Sequence, residues 1–240
     1  AAEVGETVRA RRDKLEPGRS ARFRDHLLPM RDKWRAHMSQ QASLSRTDEP
    51  LHPQLFARAV SDAAGSDAIF AFDVGECTVW LARQMEMAGE RRMVSGFNHG
   101  SVGCGLPVSL GAAALHADRD VWALCGDGGF GMSLADFVTA ARYGWPSKVI
   151  VLNNSEFGFV KMEMETSGMA HDFKATGLVN PDFAAFARTC GGDGVRVEHA
   201  ADIGPAIARA KASDKPFIID AIVSSGELVL LSGADADGDN

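Results

Sequence analysis

The chain has 240 residues, of which 45% are hydrophobic and 24% are charged, and its formal net charge is -7. This composition is typical of a folded globular domain with appendages, and the acidic balance argues against nucleic acid as a partner. No apolar run approaches the roughly 18 residues of a membrane-spanning helix, so no membrane contact is expected. The four cysteines show neither a CxxC motif nor metal-like spacing, and the first residues resemble no targeting peptide. We therefore expect reduced thiols and a cytoplasmic location.

Three regions are predicted along the chain. Residues 1–51 are polar and predict a helical leader or linker, with two helices broken near Pro17-Gly18. Residues 52–225 predict the compact domain, and residues 226–240 predict a disordered acidic tail. The second leader helix carries an apolar stripe that suggests a packing face and that Pro29 should disturb; its members are Phe23, Leu27, Met30 and Trp34.

The compact domain alternates predicted helices and strands. Helices are predicted from Pro53, through Thr78–Leu81, over Pro107–Leu115, from Asn180 as N-cap, and over Ile203–Ala210. Strands are predicted over Ile69–Val74, Arg91–Ser95, Val121–Cys125, Lys148–Leu152, Val195–Val197 and Phe217–Val223. This alternation predicts an α/β fold with a doubly wound, mostly parallel sheet flanked by helices.

The stretch from Val121 to Val160 carries the strongest chemical signal. A buried strand breaks into the glycine turn Gly126-Asp127-Gly128-Gly129, and a second apolar strand ends at Asn153-Asn154. Between them a helix is predicted, with Ser133 as its N-cap and Asp136 as the capping-box partner.

Parallel strands place their carboxyl ends at one edge of the sheet, where such sheets bind ligands. Asp127 and Asn154 should therefore face each other there, offering oxygen ligands of the kind that Mg²⁺ prefers. The glycines and the N-terminus of the following helix would let backbone N–H groups approach a phosphate. The residues thus favour a Mg²⁺-diphosphate site, although such a turn also occurs as a plain tight turn or in an ordinary nucleotide site.

The motif GDG followed by an asparagine 27 positions after the aspartate resembles that of thiamine diphosphate-dependent enzymes. The segments DAIFAFDVGECTVWLAR, RRMVSGFNHGS, CGDGGFGMSLADF and NNSEFGFVKMEM look most like the bacterial, quinone-linked pyruvate oxidases. The resemblance implies the cofactor-binding domain of such an enzyme, with thiamine diphosphate and Mg²⁺ as cofactors.

The resemblance also assigns residues. Asp127, Asn154 and the backbone carbonyl of Glu156 would hold the metal. Val74, Phe159 and Glu163 would lie near the substrate, although Val74 also fits a core position and Glu163 a solvated helix face. Val102 stands where many relatives carry methionine. The residues expected to contact the cofactor are Gly100, Ser101, Val102, Asp127, Gly128, Gly129, Asn154, Ser155, Glu156, Phe157, Gly158, Phe159 and Val160.

The implied reaction is oxidative decarboxylation of pyruvate, with FAD present only in the complete enzyme. The chain shows no counterpart of the pyrimidine-binding domain with its glutamate, or of most of the FAD domain, so we expect it to be inactive alone. We expect a homo-oligomer, dimer or tetramer, or a complementing pyrimidine-domain chain. Two alternatives stay open: another thiamine chemistry, such as carboligation or 2-oxo acid decarboxylation, and a non-catalytic binding or assembly module.

Overall fold

The computed structural model describes residues 21–44, 49–168 and 173–226. The chain divides into two compact units, residues 1–41 and 42–240. In the first, helix α1 (Ala21–Gln41) continues through Pro29, and its apolar residues Phe23, Leu27, Met30 and Trp34 are exposed. The predicted break near Pro17-Gly18 and the predicted tail beyond residue 226 lie outside the described residues. No helix in the described ranges is long and apolar enough to cross a membrane.

The second unit is built on a six-stranded sheet in which each neighbouring pair is parallel. The order across the sheet is β2-β1-β3-β4-β6-β5, which confirms the predicted doubly wound α/β fold. The strands are β1 (Ile69–Phe72), β2 (Arg92–Val94), β3 (Val121–Gly126), β4 (Lys148–Asn153), β5 (Asp193–Val197) and β6 (Phe217–Ile222).

Helices cover both faces of this sheet, so the central strands are buried on both sides and are almost continuously apolar. Side chains alternate between the faces: Phe70 and Trp122 pack on one side, and Ala71 and Ala123 on the other. The first face is covered by α2 (Pro53–Ala63), α3 (Glu76–Gln84) and α9 (Ile203–Ala212). The second is covered by α4 (Gly105–Leu115), α5 (Asp127–Ser133), α6 (Asp136–Tyr143) and α8 (Phe183–Thr189). A further helix, α7 (Gly158–Thr166), follows β4.

The helical capping predictions after β3 were wrong. Helix α5 begins at Asp127 directly after the extended residue Gly126, and α6 follows as a separate helix whose N-cap, Ala135, makes no side-chain hydrogen bond. The Ser133 hydroxyl is buried and finds no partner among the described residues, so it caps neither helix. The glycine turn folds into a helix because Phe130 within it is completely buried in the core.

The N-cap of α8 also differs from the prediction. Asp182 fills this position, and its carboxylate accepts a hydrogen bond from the backbone N–H of Ala185 at 2.7 Å. The side chain of Asn180 points instead to the carboxyl edge of the sheet, where it contacts Asp127. The local sequence pattern at Asn180 therefore gave no indication of its long-range contact with Asp127.

Candidate functional site

A cleft opens at the carboxyl edge of the sheet, where β1, β3 and β4 end. Strands β1 and β3 are neighbours although β2 lies between them in the chain, so the strand order reverses here. Open α/β sheets bind their ligands at such a switch point. The cleft is lined by the turns that follow these strands, including Val74–Glu76, Gly126–Gly129 and Asn154 with residues 156–160.

Asp127 is held at the base of this cleft and is 2% exposed. Its Oδ1 accepts from the N–H of Gly128 at 2.9 Å. Its Oδ2 accepts from the N–H of Ser155 at 2.7 Å and from Nδ2 of Asn180 at 2.6 Å. Burial raises the pKa of Asp127 to about 6, against the opposing effect of these three donors. The contact with Ser155 brings the ends of β3 and β4 together, as the sequence predicted.

Asn154 lies on the opposite turn with both ends of its amide engaged. Its Oδ1 accepts from the N–H of Glu156 at 3.1 Å, and its Nδ2 donates to Oε2 of Glu76 at 3.4 Å. The carboxylate of Glu156 is itself paired with Nζ of Lys161 at 2.8 Å. The Glu156 side chain is therefore occupied, and the predicted role of this residue depends on its backbone carbonyl.

Three glycines of these turns lie so close to neighbouring side chains that an added Cβ would force those side chains to shift. A Cβ on Gly128 would overlap the ring of Phe157, one on Gly129 would overlap the carboxylate of Asp73, and one on Gly158 would overlap the carboxylate of Glu76. The backbone of these turns is therefore packed as closely as glycine permits.

Glu76 adds an acidic side chain that sequence reasoning did not assign to the site. Burial raises its pKa to about 7, the carboxylates of Glu156 and Asp127 add to the rise, and Lys161 opposes it. Glu76 is the first residue of α3 and lines the cleft.

The residues predicted to lie near the substrate, or to contact the cofactor away from Asp127, fall into two groups. Val74, Val102, Phe159 and Val160 line the cleft and give it an apolar wall, of which Val102 and Val160 are 43% and 49% exposed. Three others lie apart from its lining: Gly100 and Ser101 are exposed in the loop before α4, and Glu163 is exposed on α7.

Asn180 is a second residue of the site that sequence reasoning missed. The segment around Glu156 forms a short antiparallel bridge with Gly177, supported by hydrogen bonds from Phe157 N–H to the Thr176 carbonyl and from Leu178 N–H to the Ser155 carbonyl, both 2.8 Å. This bridge brings Asn180 back beneath Asp127. Its partners are 53 and 27 residues away in the chain, so no local pattern could reveal the contact.

The donors at the site suit a magnesium ion that is shared with a diphosphate. Among the described residues, no group of three or more His, Cys, Asp or Glu side chains could hold a metal ion. The residues predicted to hold the metal offer one carboxylate, from Asp127, together with neutral amide and carbonyl oxygens. Mg²⁺ binds through one or two carboxylates and completes its octahedral shell with phosphate oxygens and water. The glycine backbone beside Asp127 gives a phosphate room to approach.

Comparison with known proteins agrees with a thiamine diphosphate-binding site. Residues 73–221 match the family described as thiamine pyrophosphate enzyme, C-terminal TPP binding domain. The chain is 37% identical over 176 residues to the putative thiamine pyrophosphate-containing protein YdaP of Bacillus subtilis. The aligned region covers 73% of this chain and 30% of that protein.

Two other relatives and one solved structure carry named activities. The acetolactate synthase large subunit of Corynebacterium glutamicum is 34% identical, over 72% of this chain and 28% of its own. The pyruvate oxidase of Lactiplantibacillus plantarum is 30% identical, over 80% of this chain and 32% of its own. The thiamine diphosphate-dependent 4-hydroxybenzoylformate decarboxylase of Rhodococcus jostii RHA1 superposes with a TM-score of 0.69 at 26% identity, over 75% of this chain and 34% of that one. The chain therefore spans about 30% of the length of the curated relatives it matches.

Proposed function

Because the chain belongs to the thiamine pyrophosphate enzymes and carries their C-terminal TPP-binding domain, we propose that its cleft binds the diphosphate of thiamine diphosphate together with Mg²⁺. The observation that carries this proposal is the position of Asp127, buried between the turns that follow β3 and β4 and held by Gly128, Ser155 and Asn180. Asp127, Asn154 and the carbonyl of Glu156 would hold the metal, and the backbone at Gly128 and Gly129 would meet the phosphates.

When bound, thiamine diphosphate supplies the carbanion chemistry by which 2-oxo acids lose carbon dioxide. The chain's own residues would fix the diphosphate end and shape the substrate side. Val74, Val102, Phe159 and Val160 form an apolar wall on one side of the cleft. A dry pocket disfavours the charge of a substrate carboxylate and so favours its loss.

Oxidative decarboxylation of pyruvate is our first proposal for the reaction of the whole protein, with FAD bound outside this domain. It is supported by the motif segments that resemble pyruvate oxidases and by the pyruvate oxidase relative. Carboligation is the second, because the acetolactate synthase relative is the more similar of the two in sequence identity. In either case the substrate would be a 2-oxo acid, and a pyrimidine-binding domain would complete the cofactor site.

Calorimetric titration of the purified chain with thiamine diphosphate tests the binding proposal. We expect binding that requires Mg²⁺ and that Asp127→Ala abolishes. Binding that is equally strong without a divalent cation, or in Asp127→Ala, would contradict the proposed site.

The reaction is tested by supplying pyruvate and a pyrimidine-domain partner. FAD-dependent reduction of a dye would support the oxidase, whereas acetolactate formed without dye reduction would support the carboligase. Turnover of pyruvate by the chain alone would contradict the dependence on a partner.

A further inference from the structure

A row of hydrogen-bonded polar side chains runs beneath the site, from Asp127 across the ends of β4 and β6. Nδ2 of Asn180 donates both to Oδ2 of Asp127, at 2.6 Å, and to Oδ1 of Asn153, at 2.9 Å. Nδ2 of Asn153 donates in turn to Oδ1 of Asp220 at 2.9 Å. Asn153 is 4% exposed and Asp220 is fully buried, so water does not compete for the contact between them, whereas Asn180 is partly buried.

Asp220 is surrounded by donors. Besides Asn153, its carboxylate accepts from the N–H of Phe183 at 3.2 Å and from Nη1 of Arg196 on β5 at 3.1 Å. Burial raises the pKa of Asp220, while the contacts from Asn153, Arg196 and Phe183 oppose that rise. A carboxylate that receives three donors, one of them a guanidinium, is compensated as a buried charge must be.

The two carboxylates determine which way both amides point. An ionised carboxylate only accepts hydrogen bonds, whereas an amide has one accepting and one donating end. Asn153 must therefore turn its NH₂ group to Asp220, which leaves its oxygen to accept from Asn180. The NH₂ group of Asn180 is then directed at Asp127. Reversing either amide would place an oxygen against a carboxylate or two donors against each other.

We propose that Asn180, Asn153 and Asp220 form a relay of positioning residues that holds the Asp127 carboxylate in place for the cation, an inference that rests on the proposed function. The relay and the Ser155 N–H occupy Oδ2, while Oδ1 accepts only from Gly128 among the described residues. A carboxylate has about four lone-pair directions, so Oδ1 keeps one for a metal ion. Outer-shell partners of this kind orient the metal ligands and affect metal affinity.

The direct test compares Asn180→Ala and Asp220→Asn with Asp182→Ala. Asp182 caps the same loop-to-helix junction and exchanges no hydrogen bond with Asn180, Asn153 or Asp220, although its charge acts on Asp220, so its variant removes the cap and one nearby charge while leaving the hydrogen bonds of the relay in place. We expect the two relay variants to weaken Mg²⁺-dependent binding of thiamine diphosphate roughly 10- to 100-fold and to raise the Mg²⁺ concentration needed for half-saturation. We expect Asp182→Ala to bind as the wild type does. Unchanged binding and unchanged Mg²⁺ requirement in folded Asn180→Ala would overturn the relay.

A second measurement separates the relay from the proposed function. If the wild-type chain binds no thiamine diphosphate with Mg²⁺, the binding proposal fails, and amide hydrogen exchange of the ligand-free chain then tests the relay. The Ser155 N–H donates to Asp127, so we expect its exchange to accelerate in Asn180→Ala and to stay unchanged in Asp182→Ala. Equal exchange rates at Ser155 in the wild type and Asn180→Ala would overturn the relay whatever the cofactor result.

Discussion

The ring of Phe157 lies against the α-carbon of Gly128, in the space that a Cβ atom at position 128 would fill. Gly128 follows β3, and Phe157 lies just after the end of β4. The two turns of the site therefore fit together only because residue 128 has no side chain. This contact joins the predicted phosphate side of the site to the segment that carries Asn154 and Glu156.

Gly128→Ala should consequently damage both stability and the site. The added methyl group must displace Phe157, and overpacking of this kind costs about 1–3 kcal/mol. We expect a loss of that order in the free energy of unfolding, measured with urea, and a weaker affinity for thiamine diphosphate by calorimetry.

Gly131 provides a matched control in the same helix, because nothing lies within 4 Å of a Cβ at that position. Gly131→Ala should leave binding unchanged and be neutral or stabilising by up to about 1 kcal/mol, since alanine is the better helix former. If the two variants behaved alike, the close approach of Gly128 and Phe157 would not explain the effect.

Asp73 predicts a specific dependence of stability on pH. The residue is fully buried; its Oδ1 accepts from the N–H groups of Val74 and Gly103, and its Oδ2 has no partner among the described residues. Burial raises the pKa of Asp73 above its ordinary value, and the backbone N–H groups only partly oppose this. The ionised form is therefore less favourable in the folded state than in the unfolded state.

The sign follows from linkage between protonation and folding. For a raised pKa, the contribution of Asp73 to stability is fully present below its unfolded pKa of about 3.8 and is lost as pH rises through the folded pKa. Asp73→Asn cannot titrate, so its unfolding free energy should improve relative to the wild type between about pH 4 and pH 7. The improvement is about 1.4 kcal/mol for each tenfold decrease that folding causes in the acid dissociation constant of Asp73. Urea unfolding of both proteins at about pH 4 and pH 7 measures this difference. The effects of the other acidic residues cancel because both proteins contain them. A difference that stays constant with pH would refute the prediction.

The fold was predictable because its signals are local. The runs that became β3, β4 and β6 are largely apolar and are followed or ended by glycine, asparagine or serine, so their burial and length could be inferred without knowledge of their neighbours. The meeting of Asp127 with the Asn154 turn followed from the rule that parallel strands end at one edge.

The remaining part of the site depends on contacts that only the folded chain makes. Asn180 precedes a proline and so looked like a helix cap, but the bridge between Glu156 and Gly177 turns it towards Asp127. Ser133 had the spacing of a capping box, yet the helix that buries Phe130 begins seven residues earlier, with Gly126 in the N-cap position. Glu76 enters the site because β1 is the neighbour of β3, which no pattern around Glu76 indicates.

Ser155 predicts a gain in stability on substitution. Among the described residues other than glycine, Ser155 alone has a positive φ, of +60°. A residue with a side chain is strained in this left-handed region. The Ser155 N–H must stay aimed at Asp127, which any residue except proline can supply. Ser155→Gly should therefore stabilise the chain by up to about 1 kcal/mol in urea, while the β-branched Ser155→Val should destabilise it. Should Ser155→Val prove as stable as Ser155→Gly, strain at this turn would not be the cause.

Glu76→Gln should tighten the binding of thiamine diphosphate. The Glu76 carboxylate lies over Gly158 in the cleft that the proposed diphosphate would enter. With a pKa of about 7, it is about half ionised at neutral pH and more fully ionised at higher pH, where it brings like charge close to an anionic ligand. Glutamine keeps the shape and can still accept the hydrogen bond from Asn154 Nδ2. Removing about 1 kcal/mol of repulsion in a partly solvated site corresponds to roughly a fivefold lower dissociation constant at saturating Mg²⁺.

The exposed Glu163 offers a control of equal charge on α7, outside the cleft lining. Glu163→Gln makes the same change in net charge, so screened long-range effects of that change appear in both variants. We expect the gain in affinity in Glu76→Gln alone, measured by calorimetry at fixed Mg²⁺. The Glu76 carboxylate would attract the cation and repel the diphosphate. Weaker binding in Glu76→Gln would therefore show that its attraction for the cation is the stronger of the two effects.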